Sequence, residues 1–183
     1  TVHPFLTDPA VRSALTLLVD RRAIQMHLLG RQAEVTTNFL NGPPPFVSPN
    51  THGEFSVEQA NQRLDAGGWT RGPDGVRAKD GTRLKLLCQT RANTPFEKIQ
   101  AIVKQACARA GIDLELKSVV ASVFASSDPG NPDTAAHFYA DLQLLGRILR
   151  HPDPQAFMRI FCSWEVAQKA NKGTGQNIVR WRN

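Results

Sequence analysis

Residues 83–118 read RLKLLCQTRANTPFEKIQAIVKQACARAGIDLELKS, and the reading of this stretch decides the fold. Its middle carries the start and stop signals of a helix. Thr94-Pro95-Phe96-Glu97 has the form of a capping box, in which a threonine oxygen accepts an orphan N–H, proline suits the first helical position and glutamate follows three residues on. Ile99, Ile102, Val103, Ala106, Cys107 and Ala110 then recur at helical spacing as one apolar stripe, while Lys98, Lys104 and Arg109 fall off it. Gly111 is the expected stop, because glycine takes the left-handed conformation without strain. Beyond it, Ile112, Leu114 and Leu116 alternate with Asp113, Glu115 and Lys117, the period of a half-buried strand. Leu84–Cys88 reads as a strand on the other side. A strand, a long helical linker and a second strand make a parallel crossover unit. Ile102 is expected in its core, where each buried Ile or Leu stabilises by about 1.5–3 kcal/mol.

Outward from this unit, capping signals recur toward the amino terminus. Asp8 can cap a helix beginning at Pro9, with Val11, Ala14, Leu15 and Leu18 on its apolar face. Asp20 restarts it, with Ile24, Leu28 and Leu29 inward and Gly30 as the stop. Residues 31–53 read as loop, since Pro43-Pro44-Pro45 removes donors and fixes φ. Ser56-Val57-Glu58-Gln59 is a second capping box, opening a short helix with Ala60 and Leu64 inward, and Trp69 is expected to pack on it. Turn signals at Gly72–Gly75 and Lys79–Gly81 flank Val76 and predict a small hairpin.

Toward the carboxyl end, residues 119–124 suit a helix start and residues 126–134 a loop. Asp141–Leu145 reads as a third, largely buried strand ending at Gly146. Asp153 can cap a helix with Pro154 at its first position and Phe157, Ile160 and Phe161 inward. Residues 165–171 read as polar and 173–175 as flexible.

Composition narrows the function. The chain has 183 residues, 41% of them hydrophobic, which is enough for one domain or one large lobe. It begins at Thr1 and stops just after apparent structure, and is read as an excised piece. Net charge is +6, but Arg12, Arg21, Arg22, Arg31, Arg63, Arg71 and Arg77 are scattered without interleaved aromatics, so a solvated basic surface is preferred to a nucleic-acid site. The three cysteines, Cys88, Cys107 and Cys162, lack metal spacing, and Cys107 reads as a small core residue. His3, His27, His52, His137 and His151 show no H-E-x-x-H, and no nucleophile elbow or phosphate loop is present. Cys162 with His151 is too common a pair to signify catalysis. No enzyme activity, cofactor or metal site is expected.

The order of motifs then resembles a known family. Asp8-Pro9-Ala10-Val11-Arg12-Ser13-Ala14-Leu15 with Asp20-Arg21 looks like the D-x-x-V-R-x-A-L … D-R helix of the family 5 extracellular solute-binding proteins. Gly42-Pro43-Pro44 resembles that family's Pro-rich loop. Ala66-Gly67-Gly68-Trp69, Asp74-Gly75-Val76-Arg77 and Asp80-Gly81 resemble its A-G-W … D-G-V-R … D-G stretch, and Ala110-Gly111-Ile112 opens its G-I-x-V-E-L strand. Asp153-Pro154, Phe157, Phe161, Ser163 and Asn177 match its ligand-side segment, with Trp181 inside an Arg180-Trp181-Arg182-Asn183 run similar to a peptide-receptor subgroup.

The resemblance implies an α/β fold with a mixed sheet, a βαβ unit and flanking helices: most of the C-terminal lobe of a two-lobed, periplasmic-binding-protein-like receptor. Such receptors work as monomers in the periplasm, or lipid-anchored outside the cytoplasmic membrane. They bind peptides or related small ligands and hand them to the permease subunits of an ATP-binding-cassette importer. In peptide-binding relatives a tryptophan and an aspartate precede the D-P pair by seven and four residues from its proline, and the aspartate pairs with the peptide α-amino group. Counting back from Pro154, those positions are Arg147 and Arg150. A guanidinium suits a carboxylate instead. Arg147, Arg150, His151, Asn177 and Trp181 are therefore the expected ligand-contact residues. Solvent-facing arginines, or a register shifted by Pro152, are the plainer alternatives, and a basic interaction or regulatory domain is the alternative function.

Overall fold

The computed structural model describes residues 3–128, 130–149, 151–168 and 175–182. Three capping signals act as the sequence predicts. Asp8 accepts a hydrogen bond from the Ala10 N–H at 2.8 Å and opens α1 (Pro9–Leu17). Asp20 accepts from the Ala23 N–H at 2.9 Å and opens α2 (Arg21–Ile24), which runs into a wide π turn over Gln25–Leu29 and ends at Gly30. Ser56 accepts from the Gln59 N–H at 3.1 Å and opens α3 (Val57–Ala66). Leu29, expected inward, is instead 53% exposed, because the π turn rotates the last residues off the helical stripe.

The turn-rich stretch gives one strand more than a hairpin. β1 (Thr70–Arg71), β2 (Arg77–Lys79) and β3 (Thr82–Arg83) form an antiparallel meander. The βαβ unit follows as β4 (Lys85–Arg91), α4 (Thr94–Ala110) and β5 (Asp113–Val119), with β4 and β5 parallel. After a short α5 (Ala121–Phe124) and an irregular stretch, β6 (Leu142–Leu144) joins β4 in parallel, so this sheet has the order β5-β4-β6 among the described residues. Asp141 precedes β6 and fixes its place. One carboxylate oxygen accepts the Leu87 N–H at 2.6 Å and the other bonds His3 at 2.8 Å. Parallel and antiparallel strands thus occupy two sheets rather than one mixed sheet.

At α4, Asn93 rather than Thr94 stands at the cap, Thr94 and Pro95 are the first two helical residues, and no side chain caps the start. Proline accounts for the shift: it fits any of the first positions whose N–H needs no partner. The buried face of α4 includes Ala106, Cys107 and Ala110 as expected, but also Gln100, whose amide donates to the Cys88 carbonyl at 2.9 Å. Ile102 is half-buried at the flank. Leu116, expected inward, is 37% exposed toward the open edge of β5. One core joins Val11 and Ala14 of α1, Leu18 just past its end, Ala60 and Leu64 of α3, Trp69, and the α4–sheet interface. Burial pushes the Cys107 thiol up to about 12, helped by the nearby Cys88, so it is an inert core residue.

Arg77, read among the solvated cations, is 2% exposed. Its guanidinium donates to the Ala110 carbonyl at 2.8 Å, the Trp69 carbonyl and Asp65 at 2.5 Å, and Asn61 at 2.8 Å. Its backbone N–H donates to the Gly111 carbonyl at 2.8 Å, and its carbonyl accepts from the Leu84 N–H at 2.7 Å. Gly111 turns at φ +80°, and a Cβ there would lie 2.9 Å from the Arg77 side chain and 2.9 Å from the Gly75 carbonyl oxygen. Both the turn and the close approach require glycine.

Arg77→Met strands the buried acceptors of Ala110 and Trp69, each costing about 1–3 kcal/mol, while Asn61 keeps a bond from Arg71. The expected loss in urea denaturation is therefore about 2 kcal/mol or more, against a total stability of about 5–15 kcal/mol. Asp65 is largely exposed, and Asp65→Ala should cost no more than about 1 kcal/mol. Equal losses in the two variants would refute the carbonyl-clamp reading.

Candidate functional site

Parallel strands bring their carboxyl ends together, and in open α/β sheets ligands lie beyond those ends. Here these are Arg91, Val119 and Leu144. Thr90 locks two of them, donating from its hydroxyl to the Leu144 carbonyl at 2.9 Å. Gln89, 2% exposed, donates to the Asp133 carbonyl at 3.0 Å, and Lys117 pairs with the Asp133 carboxylate at 2.5 Å. These contacts pull residues 131–137 across the sheet.

A cavity of about 170 Å³ opens at this end. Gln143, Leu145 and Arg147 reach it from β6 and its continuation, alternating with the period of an extended chain. Phe138, Ile160, Phe161 and Ile178 supply apolar walls from three other segments. Arg147 is exposed and has no hydrogen bond or ion pair among the described residues. An unpaired guanidinium at the rim of an apolar cavity can offer bidentate hydrogen bonds to an anion.

Asp153 accepts the Gln155 N–H at 2.8 Å, as a cap should, but Pro154 takes the cap position and α6 (Gln155–Met158) begins one residue later. Two 3₁₀ turns follow, Arg159–Phe161 and Ser163–Glu165. Glu165, in a segment read as polar surface, is buried. Its carboxylate takes hydrogen bonds from Arg159, at 2.8 Å from Nε and also from Nη2, and from the Gln176 N–H at 3.2 Å. Its carbonyl accepts the Asn177 N–H at 2.9 Å. A Cβ at Gly175 would lie 1.8 Å from that same carbonyl oxygen, so only glycine lets the 175–182 segment approach. Arg159 first, then the Gln176 N–H, hold the Glu165 carboxyl below the usual carboxylate range, against the opposing effect of burial.

The expected contact residues fall in different surroundings. Arg147 lines the cavity. Asn177 is 1% exposed, with its amide bonded to the Cys162 carbonyl at 3.1 Å, the Trp181 carbonyl at 2.9 Å and the Trp181 N–H at 3.2 Å, so it shapes the wall from within. Trp181 is 52% exposed on the same segment. His151 is exposed and does not line the cavity. Arg150 and the expected flexible residues Gly173 and Thr174 lie outside the described residues. The alternation of Gln143, Leu145 and Arg147 was the sequence signal for the missed wall residues Gln143 and Leu145; Glu165 had none.

The model of the bacterial extracellular solute-binding proteins, family 5 middle region, matches residues 1–169. The chain belongs to that family. The oligopeptide-binding protein AppA of Bacillus subtilis (strain 168) is 30% identical over 120 residues, covering 61% of this chain and 22% of AppA. The solved structure of Bacillus subtilis AppA in complex with a nonapeptide aligns at a TM-score of 0.74 and 26% identity, over 99% of this chain and 34% of that one. NikZ from Campylobacter jejuni, in complex with Ni(L-His), aligns at a TM-score of 0.81 and 22% identity over 99% and 34% of the two chains, a likeness of fold. This solute-binding-protein chain therefore spans about a third of those solved relatives. Its α/β architecture is that of a lobe of periplasmic-binding-protein-like structures.

The Glu165 carboxyl titrates lower folded than unfolded, so its contribution to holding the 175–182 segment is complete above the unfolded value, near the ordinary 4.5, and is lost as pH falls through the folded value. Tryptophan fluorescence from Trp164 and Trp181 should report an acid transition below pH 4.5. Glu165→Gln should reduce that transition, leaving the part reported by Trp69, whose indole donates to the likewise lowered Asp8 carboxylate; an unchanged transition would assign it elsewhere.

Proposed function

We propose that this chain is most of the C-terminal lobe of a two-lobed receptor that binds peptides outside the cytoplasmic membrane and delivers them to an ATP-binding-cassette permease. The observation that carries the reading is the small apolar cavity where β6 runs out of the parallel sheet, with the unpaired Arg147 at its rim. A cavity of about 170 Å³ suits one ligand side chain, and a guanidinium beside it suits a neighbouring carboxylate. The match to oligopeptide-binding AppA supports a peptide over other solutes. No part of this role calls for bond making, so the protein is a receptor and not an enzyme. The extracellular family supports a place in the periplasm or a lipid-anchored position outside the membrane.

Within the site, Arg147 is the anion contact, and Arg150 shares that role on the sequence register alone. Trp181 offers an exposed ring beside the cavity segment. Asn177 acts through the loop it braces, and His151 lies at the outer margin.

The isolated chain should fold yet bind peptide weakly, because an opposing lobe supplies the remaining contacts. In the full-length receptor, native mass spectrometry should find co-purified peptide. Arg147→Ala should weaken peptides carrying an acidic group by about 1.5–3 kcal/mol, the worth of hydrogen bonds to a charged group, and leave basic peptides unchanged. Micromolar binding by the isolated chain would contradict the two-lobe reading. Equal effects on acidic and basic peptides would remove Arg147 from the site.

A further inference from the structure

The strand-end cavity is walled mainly by apolar side chains, and one polar group among them is held in a fixed sense. We infer that this cavity is a pocket for a tyrosine side chain, whose phenol hydroxyl donates to the Gln143 amide oxygen. The inference rests on the peptide reading above and adds which side chain the receptor selects.

Two side-chain amides form a short relay behind the cavity. The buried Gln89 donates from Nε2 to the Asp133 carbonyl at 3.0 Å, which leaves its Oε1 to accept from Gln143 Nε2 at 3.4 Å. The same Gln143 Nε2 donates to the Ala135 carbonyl at 3.3 Å. A backbone carbonyl can only accept, so each end of the relay is anchored and neither amide can be turned over. Both N–H groups of Gln143 are thereby used, while nothing among the described residues donates to its Oε1. Gln143 is half-buried and lines the cavity. Arg147 and Gln176, the other polar residues there, are exposed and keep access to water.

The space suits one aromatic ring. An apolar cavity of about 150 Å³ lined by Leu, Ile and Phe takes up benzene, and this one is about 170 Å³. Two of its walls are themselves rings. Phe161 packs edge-on against Phe39, with centroids 4.6 Å apart. Phe138 stands at φ +45°, where a residue with a Cβ is strained. On one side of it the His137 carbonyl accepts from the Arg180 guanidinium at 2.8 Å, and the rings of His137 and Tyr139 stack at 5.4 Å across it in sequence. A wall held against strain is a built feature of the cavity. The remaining side-chain classes fit less well. A hydrocarbon would bury the Gln143 oxygen with no donor. A carboxylate would set oxygen against oxygen, and lysine or arginine would add a second cation beside Arg147. Serine and threonine leave most of the space empty. A phenol fills it and brings the one donor that is missing.

The test is calorimetry on the full-length receptor with alanine pentapeptides that carry a single tyrosine or phenylalanine at each position in turn. At one position tyrosine should bind at least about tenfold more tightly than phenylalanine, the effect of leaving one buried acceptor unpaired. Gln143→Leu should bring the two within about twofold there, chiefly by strengthening phenylalanine. A merely structural role for Gln143 would weaken both peptides and leave their ratio unchanged, which overturns the assignment. The comparison on the unaltered receptor needs no variant, so misfolding of Gln143→Leu leaves the inference testable. Binding in which no position reaches tenfold overturns the tyrosine pocket and leaves the receptor reading intact. Failure of every peptide to bind overturns the peptide reading and this inference with it.

Discussion

A single buried guanidinium closes the structure. Arg77 takes the carbonyl at the end of α4, the carbonyl of Trp69 and the side chain of Asn61 onto one planar fork, while its own backbone bridges Gly111 and Leu84. The helix ends with orphan carbonyls pointing into the protein, where water cannot reach them. A lysine could not replace the arginine, since one ammonium cannot address acceptors spread over that plane. The meander, α3, α4 and the parallel sheet therefore share one polar joint beside the apolar core.

The Arg77 joint and the strand-end cavity sit at opposite ends of the sheet. The Arg77 joint lies where β4 and β5 begin, with Leu84 and Asp113 bonded across it at 3.0 Å. The cavity lies where β6 and its continuation run past the sheet. Its far wall is not sheet at all but the 175–182 segment, held against Glu165 by hydrogen bonds and by the close approach of Gly175. That wall depends on a few polar contacts instead of a large apolar area, which places it among the weaker parts of the structure.

The net charge of +6 dissolves into separate roles once partners are counted. Arg77 is buried in its joint. Lys79, Lys85, Lys117 and Arg159 each face a carboxylate. Lys79 also lies over the Trp69 ring, 5.9 Å from its centroid, while pairing with the α1 cap Asp8. Arg147 stands apart among the described residues because it has an apolar cavity beside it and no anion of its own.

The sequence determined the local elements. Caps at Asp8, Asp20 and Ser56, the turn at Gly111 and the period-two and helical patterns of residues 83–118 depend on neighbours within a few positions, so they can be read in order along the chain. The three parallel strands and the family followed from those signals and their spacing. Its errors share one cause. Arg77 looked like surface, Glu165 like polar loop, and Leu116 and Leu29 like core, because each residue's burial is set by segments distant in the chain. Tertiary structure alone decided that the D-G-V-R arginine caps a helix thirty-odd residues away, that Asn177 is bonded within its loop, and that Phe39 meets Phe161. Local patterns encode which way a backbone turns; what a side chain touches is decided by the packing of the whole.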